Sequence, residues 1–377
     1  MITVQEIHTK KEMKQFVKFP FYIYKDNPYW VPPIIKDELQ TLDKDTNPAF
    51  EHANARFFLA YKDGKIVGRI AAIINSYEVE KQGIKKMRFG WFDVVDDVKV
   101  TQALLEKVEE IGKENQLEYI EGPVGFSNLD KVGVLISGFD HIGTMITWYS
   151  LPYYKEHLEQ LGYTKAKEYL ENKFLIKNVN RPYYAKIAKL IKRRYNLTSM
   201  GFTKTKDILP YVDEMFALFS ETYSKLASYV PISDKQITYF KERYISFVNP
   251  EFIKFVFDEH HKMVAFAIIM PSFSEALQKA KGKLFPFGLF HLLKARKNPT
   301  VVTSYLIGVS EEYQNKGVTA IIFDEYLASI ENTNVATMVR TPELEENTAI
   351  HQIWKNFDQV THKRRRTYKK EIVVPST

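Results

Sequence analysis

The chain has 377 residues, 45% hydrophobic and 26% charged, a globular composition long enough for two domains that each bury a core. It has no cysteine, which excludes a disulfide framework, a thiolate nucleophile and cysteine-ligated zinc. No run has the length and apolarity of a membrane span, "MITVQEIHTKKEMKQF" is too charged for a signal peptide, and a net charge of +7 suits anionic ligands or a solvated basic surface, so a cytoplasmic protein is expected.

Near the start, "YIYKDNPYWVPPIIKDE" is aromatic and broken by proline, which predicts an extended packed arm, a peptide-binding site being the other reading. "ARFFLAYKDGKIVGRIAAIIN" reads as two strands about Asp63-Gly64, a dipeptide that supplies the positive φ angles of a tight hairpin. The strand "FGWFDVV" and the helix "TQALLEKVEEIGKENQ" follow. Leu104, Leu105, Val108 and Ile111 share one face of that helix, which predicts packing on a sheet. Another strand, "LEYIEGPV", precedes a helix, and "NVNRPYYAKIAKLIKRRYN" holds a basic connecting helix. The boundary near Asn178 gives domains 1–178 and 179–377.

The second half repeats this order. "LTSMGFTKTKDILPYVDEMFALFSETY" reads as a strand and a helix, and "FIKFVFDEHHKMVAFAIIM" as a second hairpin whose Lys262-Met263-Val264 matches Lys65-Ile66-Val67 about 200 residues earlier. His260 and His261 are expected exposed in its turn, and no metal is expected. Residues 274–298, "SEALQKAKGKLFPFGLFHLLKARKN", interrupt the pattern. They are expected to form an insertion over the second domain, with a lid or a membrane contact as the other readings.

In "VVTSYLIGVSEEYQNKGVTAIIFDEYLASI" a strand passes through a polar turn into a helix whose Ile321, Ile322, Tyr326 and Ile330 face inward. A helix start offers amides without intrahelical partners and the positive end of the peptide dipoles, and Gly317 allows close approach of the main chain, so the turn suits a pyrophosphate. A strand "VATMVRT", a last helix and the terminal strand "THKRRRTYKKEI" follow. Alternation should place Lys363 to Arg366 on opposite faces of a solvated surface strand, which disfavours a nucleic-acid patch.

This order resembles the GNAT superfamily of acyl-CoA-dependent N-acyltransferases, with two such domains in tandem. "NPYWVPP", "VGRIAAI", "EGPVGFSN" and "GKLFPFG" look like a bacterial branch of tandem GNAT proteins. The resemblance implies an α/β (α+β) fold in which each domain has a mixed, mostly antiparallel twisted sheet flanked by helices. It implies that Gln314, Asn315, Lys316, Gly317, Val318 and Thr319 form the pyrophosphate turn for acetyl-CoA or another acyl-CoA. Thr319 departs from the family's Gly or Ala. Ile307 and Val309 would offer main-chain groups to the pantetheine arm and acyl carbonyl, and Asn347 would contact the cofactor. Trp354 stands where many members carry a tyrosine that protonates the thiolate. Indole cannot do so, and a core role is expected for it.

The first domain lacks the turn glycine and places Asp96 and Asp97 where phosphates would sit, so it is expected to have lost the cofactor site and to serve as scaffold. The implied reaction is direct attack of a small-molecule or peptide amine on the thioester. An amine with pKa near 10.4 costs roughly 4–5 kcal/mol to hold neutral at pH 7, so a base is needed. Glu121 and Tyr305 are the candidate catalytic residues, each with a structural reading beside it, while Glu311 and Glu312 are expected in solvent. A noncatalytic acyl-CoA-binding protein on the same fold is the alternative function.

Overall fold

The structure is a computed structural model that describes residues 1–127, 129–225, 229–242 and 248–373. Asn128, which ends the "EGPVGFSN" motif, lies outside them. The chain forms two compact units: Met1–Leu170, Ser274–His291 and His362–Thr377 make the first, and Glu171–Phe273 with Leu292–Thr361 the second.

In chain order the elements begin with β1 (Ile2–Glu6), α1 (Lys10–Ile23), α2 (Ile35–Thr41), β2 (Ala53–Lys62), β3 (Lys65–Asn75) and β4 (Lys86–Val94). Next come α3 (Val98–Glu114), β5 (Tyr119–Gly122), β6 (Val134–Ser137), α4 (Tyr153–Gln160), β7 (Thr164–Leu175), α5 (Arg181–Arg194) and β8 (Thr198–Gly201). The chain continues through α6 (Val212–Tyr223), α7 (Asp234–Phe240), β9 (Ile253–Phe257), β10 (Met263–Pro271), α8 (Ser274–Ala280) and α9 (Gly288–Lys297). It ends with β11 (Val301–Val309), α10 (Thr319–Ile330), β12 (Thr337–Arg340), β13 (Glu343–Leu344), α11 (Thr348–Trp354) and β14 (Gln359–Glu371).

Both units are mixed, mostly antiparallel sheets flanked by helices, and their strand orders correspond. In the first, β1, β2, β3 and β4 are antiparallel neighbours and β5 joins β4 in parallel. In the second, β8, β9, β10 and β11 are antiparallel and β12 joins β11 in parallel. Each is then closed by a strand from the opposite half of the sequence: β14 lies antiparallel to β5, and the end of β7 lies antiparallel to β12. The repeat is thus a repeat of pairing rules, and the sixth strand of each sheet is exchanged.

Hydrophobic faces read from the sequence become the cores. Leu104, Leu105, Val108 and Ile111 of α3 pack on Phe58, Ile70, Met87 and Ile120, while Phe16 and Val17 of α1 join Phe57, Ala71 and Ile73. Ile321, Ile322, Tyr326 and Ile330 of α10 and Ala188 and Ile191 of α5 pack on Val256, Ala265, Ala267 and Val302. Asp63 and Gly64 have φ of 52° and 74°, as the hairpin between β2 and β3 requires. Tyr24 of the proline-broken arm is buried, its hydroxyl donating to Asp93 Oδ1 at 2.8 Å.

Two expectations change. The insertion does not wholly belong to the second unit: Ser274–His291 are part of the first, where Ser274 Oγ donates to Gly143 O at 2.8 Å and Gln278 Nε2 to Pro28 O at 2.7 Å. The basic run does alternate, but its charges are not left to solvent. Lys363 and Arg365 are buried, with Lys363 Nζ donating to Ile142 O at 3.2 Å and Arg365 to Trp148 O. Arg364 and Arg366 each reach Glu168 at 2.9 Å. The cause is pairing, because a strand inside a sheet brings both its faces against other elements.

Candidate functional site

The strand–turn–helix Val301–Ile330 lies within the second unit. Between β11 and α10 a short turn of helix, Glu311–Tyr313, leads into Gln314–Val318. Asn315 and Gly317 adopt φ of 61° and 78°, while Val318 returns to −58°. Such an alternation turns successive N–H groups inward and makes an anion-binding concavity. Ala320 N and Ile321 N bond back to Gly317 O and Val318 O at 3.0 Å, but the amides of Gly317, Val318 and Thr319 meet no backbone carbonyl among the described residues. They point from the start of a twelve-residue helix with no side-chain cap. The position therefore combines free donors with the positive end of the helix dipole.

Lys316 adds a formal charge. Its ammonium sits 4.7 Å from the centroid of Tyr313 and 5.3 Å from that of Tyr195, faces that attract a cation without neutralising it. Beneath the turn, an added Cβ at Gly317 would meet only Ile191 side-chain carbons at 3.4 and 3.5 Å. The glycine is thus required by its left-handed backbone rather than by crowding. Thr319 is half-buried at the first helical position.

The strand before the turn has an open edge. Ser310 N donates to Val264 O at 2.9 Å, so in this antiparallel ladder Leu306 and Gly308, beyond the register shift, bond to β10, and Val309 and Ile307 point their main-chain groups the other way. On that side β12 pairs only as far as Ser304↔Arg340. Beyond it, no strand among the described residues covers the edge. Two side chains reach it instead: Tyr223 OH donates to Ile307 O at 3.2 Å and Gln314 Nε2 to Val309 O at 3.2 Å. Burial raises the Tyr223 hydroxyl to about 12, which keeps it a donor at neutral pH. The register with β10 shifts between Ile268 and Ile269, leaving Tyr305 as an unopposed bulge residue between Ser304 and Leu306.

The remaining expected residues lie in plain settings. Asn347 caps α11, its Oδ1 accepting from Ile350 N at 3.2 Å. Trp354 is buried among Phe174, Phe323 and Phe357, the core role expected of it. Glu311 and Glu312 are exposed. In the first unit, Glu121 is buried 3.5 Å from Lys86 Nζ and 3.9 Å from Lys167 Nζ, beside the Glu78–Arg88 pair at 2.6 Å. The turn equivalent there is filled by the protein's own anion: Asp97 accepts from Lys99 N at 3.0 Å and from Lys62 Nζ at 2.8 Å, and the Lys62 bond lowers its pKa. Tyr223 and Tyr195 could not be found from the sequence. Both are ordinary helix-end tyrosines, and their relevance comes only from what folds against them.

No protein-family model matches the sequence. The chain is 26% identical over 375 residues to Protein YghO of Escherichia coli, covering 98% of this chain and 95% of that one. It is 25% identical over 321 residues to the bacterial ceramide synthase of Caulobacter vibrioides, covering 83% of this chain and 82% of that protein. Among solved structures, it matches a tandem GNAT protein from the clavulanic acid biosynthesis pathway with a TM-score of 0.58 at 11% identity over the whole of both chains.

Proposed function

We propose that this chain, which has the tandem GNAT fold, is an acyl-CoA-dependent N-acyltransferase, in the simplest case an N-acetyltransferase, that passes the acyl group to the amine of a small molecule or peptide by direct attack on the thioester. One observation carries the reading. Amides that meet no backbone carbonyl among the described residues, at the start of α10, directly follow an edge of β11 that no described strand covers, so one strand–turn–helix offers donors for a pyrophosphate and main-chain groups for an amide-containing arm. Gln314, Asn315, Lys316, Gly317, Val318 and Thr319 would hold the pyrophosphate, Ile307 and Val309 the pantetheine, and Asn347 a further part of the cofactor. The repeats meet near Asn178, and Asp97 supports the view that only the second, 179–377, retains a cofactor site.

Tyr305, at the bulge of the same strand, is our candidate for acid–base duty. Glu121 is the weaker one, because its carboxylate is already engaged by two lysines. A ceramide is an N-acylated amino alcohol, so the name of the Caulobacter relative also describes acyl transfer to an amine. That relative places long acyl chains and lipid amines in the acceptor screen.

The test is calorimetric titration with CoA and acetyl-CoA of the intact protein and of Gly317→Asp. A carboxylate in the turn should abolish binding by charge repulsion, and because aspartate is among the few residues that tolerate a left-handed backbone, the strain stays local to the turn and circular dichroism stays unchanged. Absence of binding by the intact protein to either ligand would sink the reading. Binding without thiol release across a broad panel of amines would instead leave a noncatalytic acyl-CoA-binding protein.

A further inference from the structure

The segment between α8 and the end of α9 holds large apolar side chains out to solvent although its base is fixed. Phe285, Phe287 and Phe290 are 75%, 71% and 64% exposed, and Leu293 on the same helix is 50% exposed. Isolated exposed hydrophobics need no explanation, but four within nine residues form a patch. The base is not loose. Ile35 N donates to Gly282 O at 2.9 Å, Gly282 packs so tightly on Phe21 that an added Cβ would lie 2.5 Å from its ring, and Leu277, Ala280 and Leu292 are buried. Tyr22, next to Phe21 on α1, is 70% exposed.

The charge along this stretch of the chain has one sign. From Ala276 to Ser310 the sequence contains no Asp or Glu, but it contains Lys279, Lys281, Lys283, Lys294, Arg296 and Lys297. Lys281, Lys283, Lys294 and Lys297 are exposed. Exposed aromatic rings flanked along the chain by exposed ammonium groups suit an interface that offers both apolar matter and anionic groups, as a bilayer leaflet bearing anionic headgroups does.

We propose that Lys281–His291 is a peripheral membrane-docking surface for anionic phospholipid bilayers, with Phe285, Phe287 and Phe290 entering the acyl boundary and Lys281 and Lys283 meeting the headgroups. This is independent of the proposed acyl transfer. It requires no spanning helix, and among the described residues no helix is long and apolar enough to cross a membrane.

The experiment is flotation of the full chain with vesicles of phosphatidylcholine alone or mixed with phosphatidylglycerol, at low and high salt. The intact protein should float with the mixed vesicles, less so as salt rises, and not with phosphatidylcholine alone. The triple variant Phe285→Ser, Phe287→Ser, Phe290→Ser removes only exposed rings and should bind at least about tenfold more weakly. Lys281→Glu with Lys283→Glu should also weaken binding. Unchanged flotation of the triple variant would overturn the proposal, as would failure of the intact protein to bind mixed vesicles. Sedimentation showing that the rings bury against a second copy of the chain, with no vesicle binding, would assign the patch to self-association and overturn it as well.

Discussion

Glu121 and Gly317 show how differently two site candidates fare once their surroundings are known. Gly317 is exposed, carries a left-handed backbone and has no rival claim on its amide among the described residues, so its environment leaves it free for a ligand. Glu121 is buried with two lysines within ion-pair distance, so its charge already has partners. Replacing it with glutamine keeps the shape but removes a buried charge that Lys86 and Lys167 share. We expect Glu121→Gln to lose about 2 kcal/mol of stability in urea denaturation, moderated because Lys86 retains Glu78 at 2.9 Å. A variant of unchanged stability with abolished thiol release would favour the catalytic reading of Glu121 over the structural one. Gly317 was legible in the sequence because glycine before an amphipathic run is a local signal. The engagement of Glu121 was not, since Lys86 and Lys167 approach it only through strand pairing.

Strands β7 and β14 make the same point at the level of elements. Glu168 of β7 is almost wholly buried, and burial alone would raise its carboxyl; hydrogen bonds from Arg366, Arg364 and Lys165 outweigh that and hold it at about 2. A carboxyl lowered from 4.5 contributes stability that is fully present above the unfolded value and is lost as pH falls from about 4.5 toward 2. Stability of the intact protein should therefore decline through that window, and Glu168→Gln should be less stable near neutrality but show a shallower acid decline. Equal slopes in urea denaturation across the pH series would refute the assignment. The sequence showed that the basic run alternates. It could not show what faces Arg364 and Arg366, because Glu168 is about 200 residues away along the chain.

Across the whole chain, the exchange of β7 and β14 ties each compact unit to both halves of the sequence. A fragment of residues 1–178 lacks Ser274–His291 and the strand that pairs with β5. It leaves Tyr119–Gly122 as an exposed edge, and we expect it to be insoluble or to lack cooperative unfolding, whereas the intact chain unfolds with a sharp transition. Cooperative unfolding of the isolated fragment would show that the exchanged strand is dispensable. By itself the sequence determined the helix faces, the hairpin at Asp63-Gly64, the duplicated order of elements and the turn before α10, because periodicity and turn chemistry act over a few residues. The tertiary structure alone decided which strand closes each sheet, which charges are buried together and where the edge of β11 stays open. Those outcomes depend on pairings between residues far apart in the chain, whose energies no local pattern records.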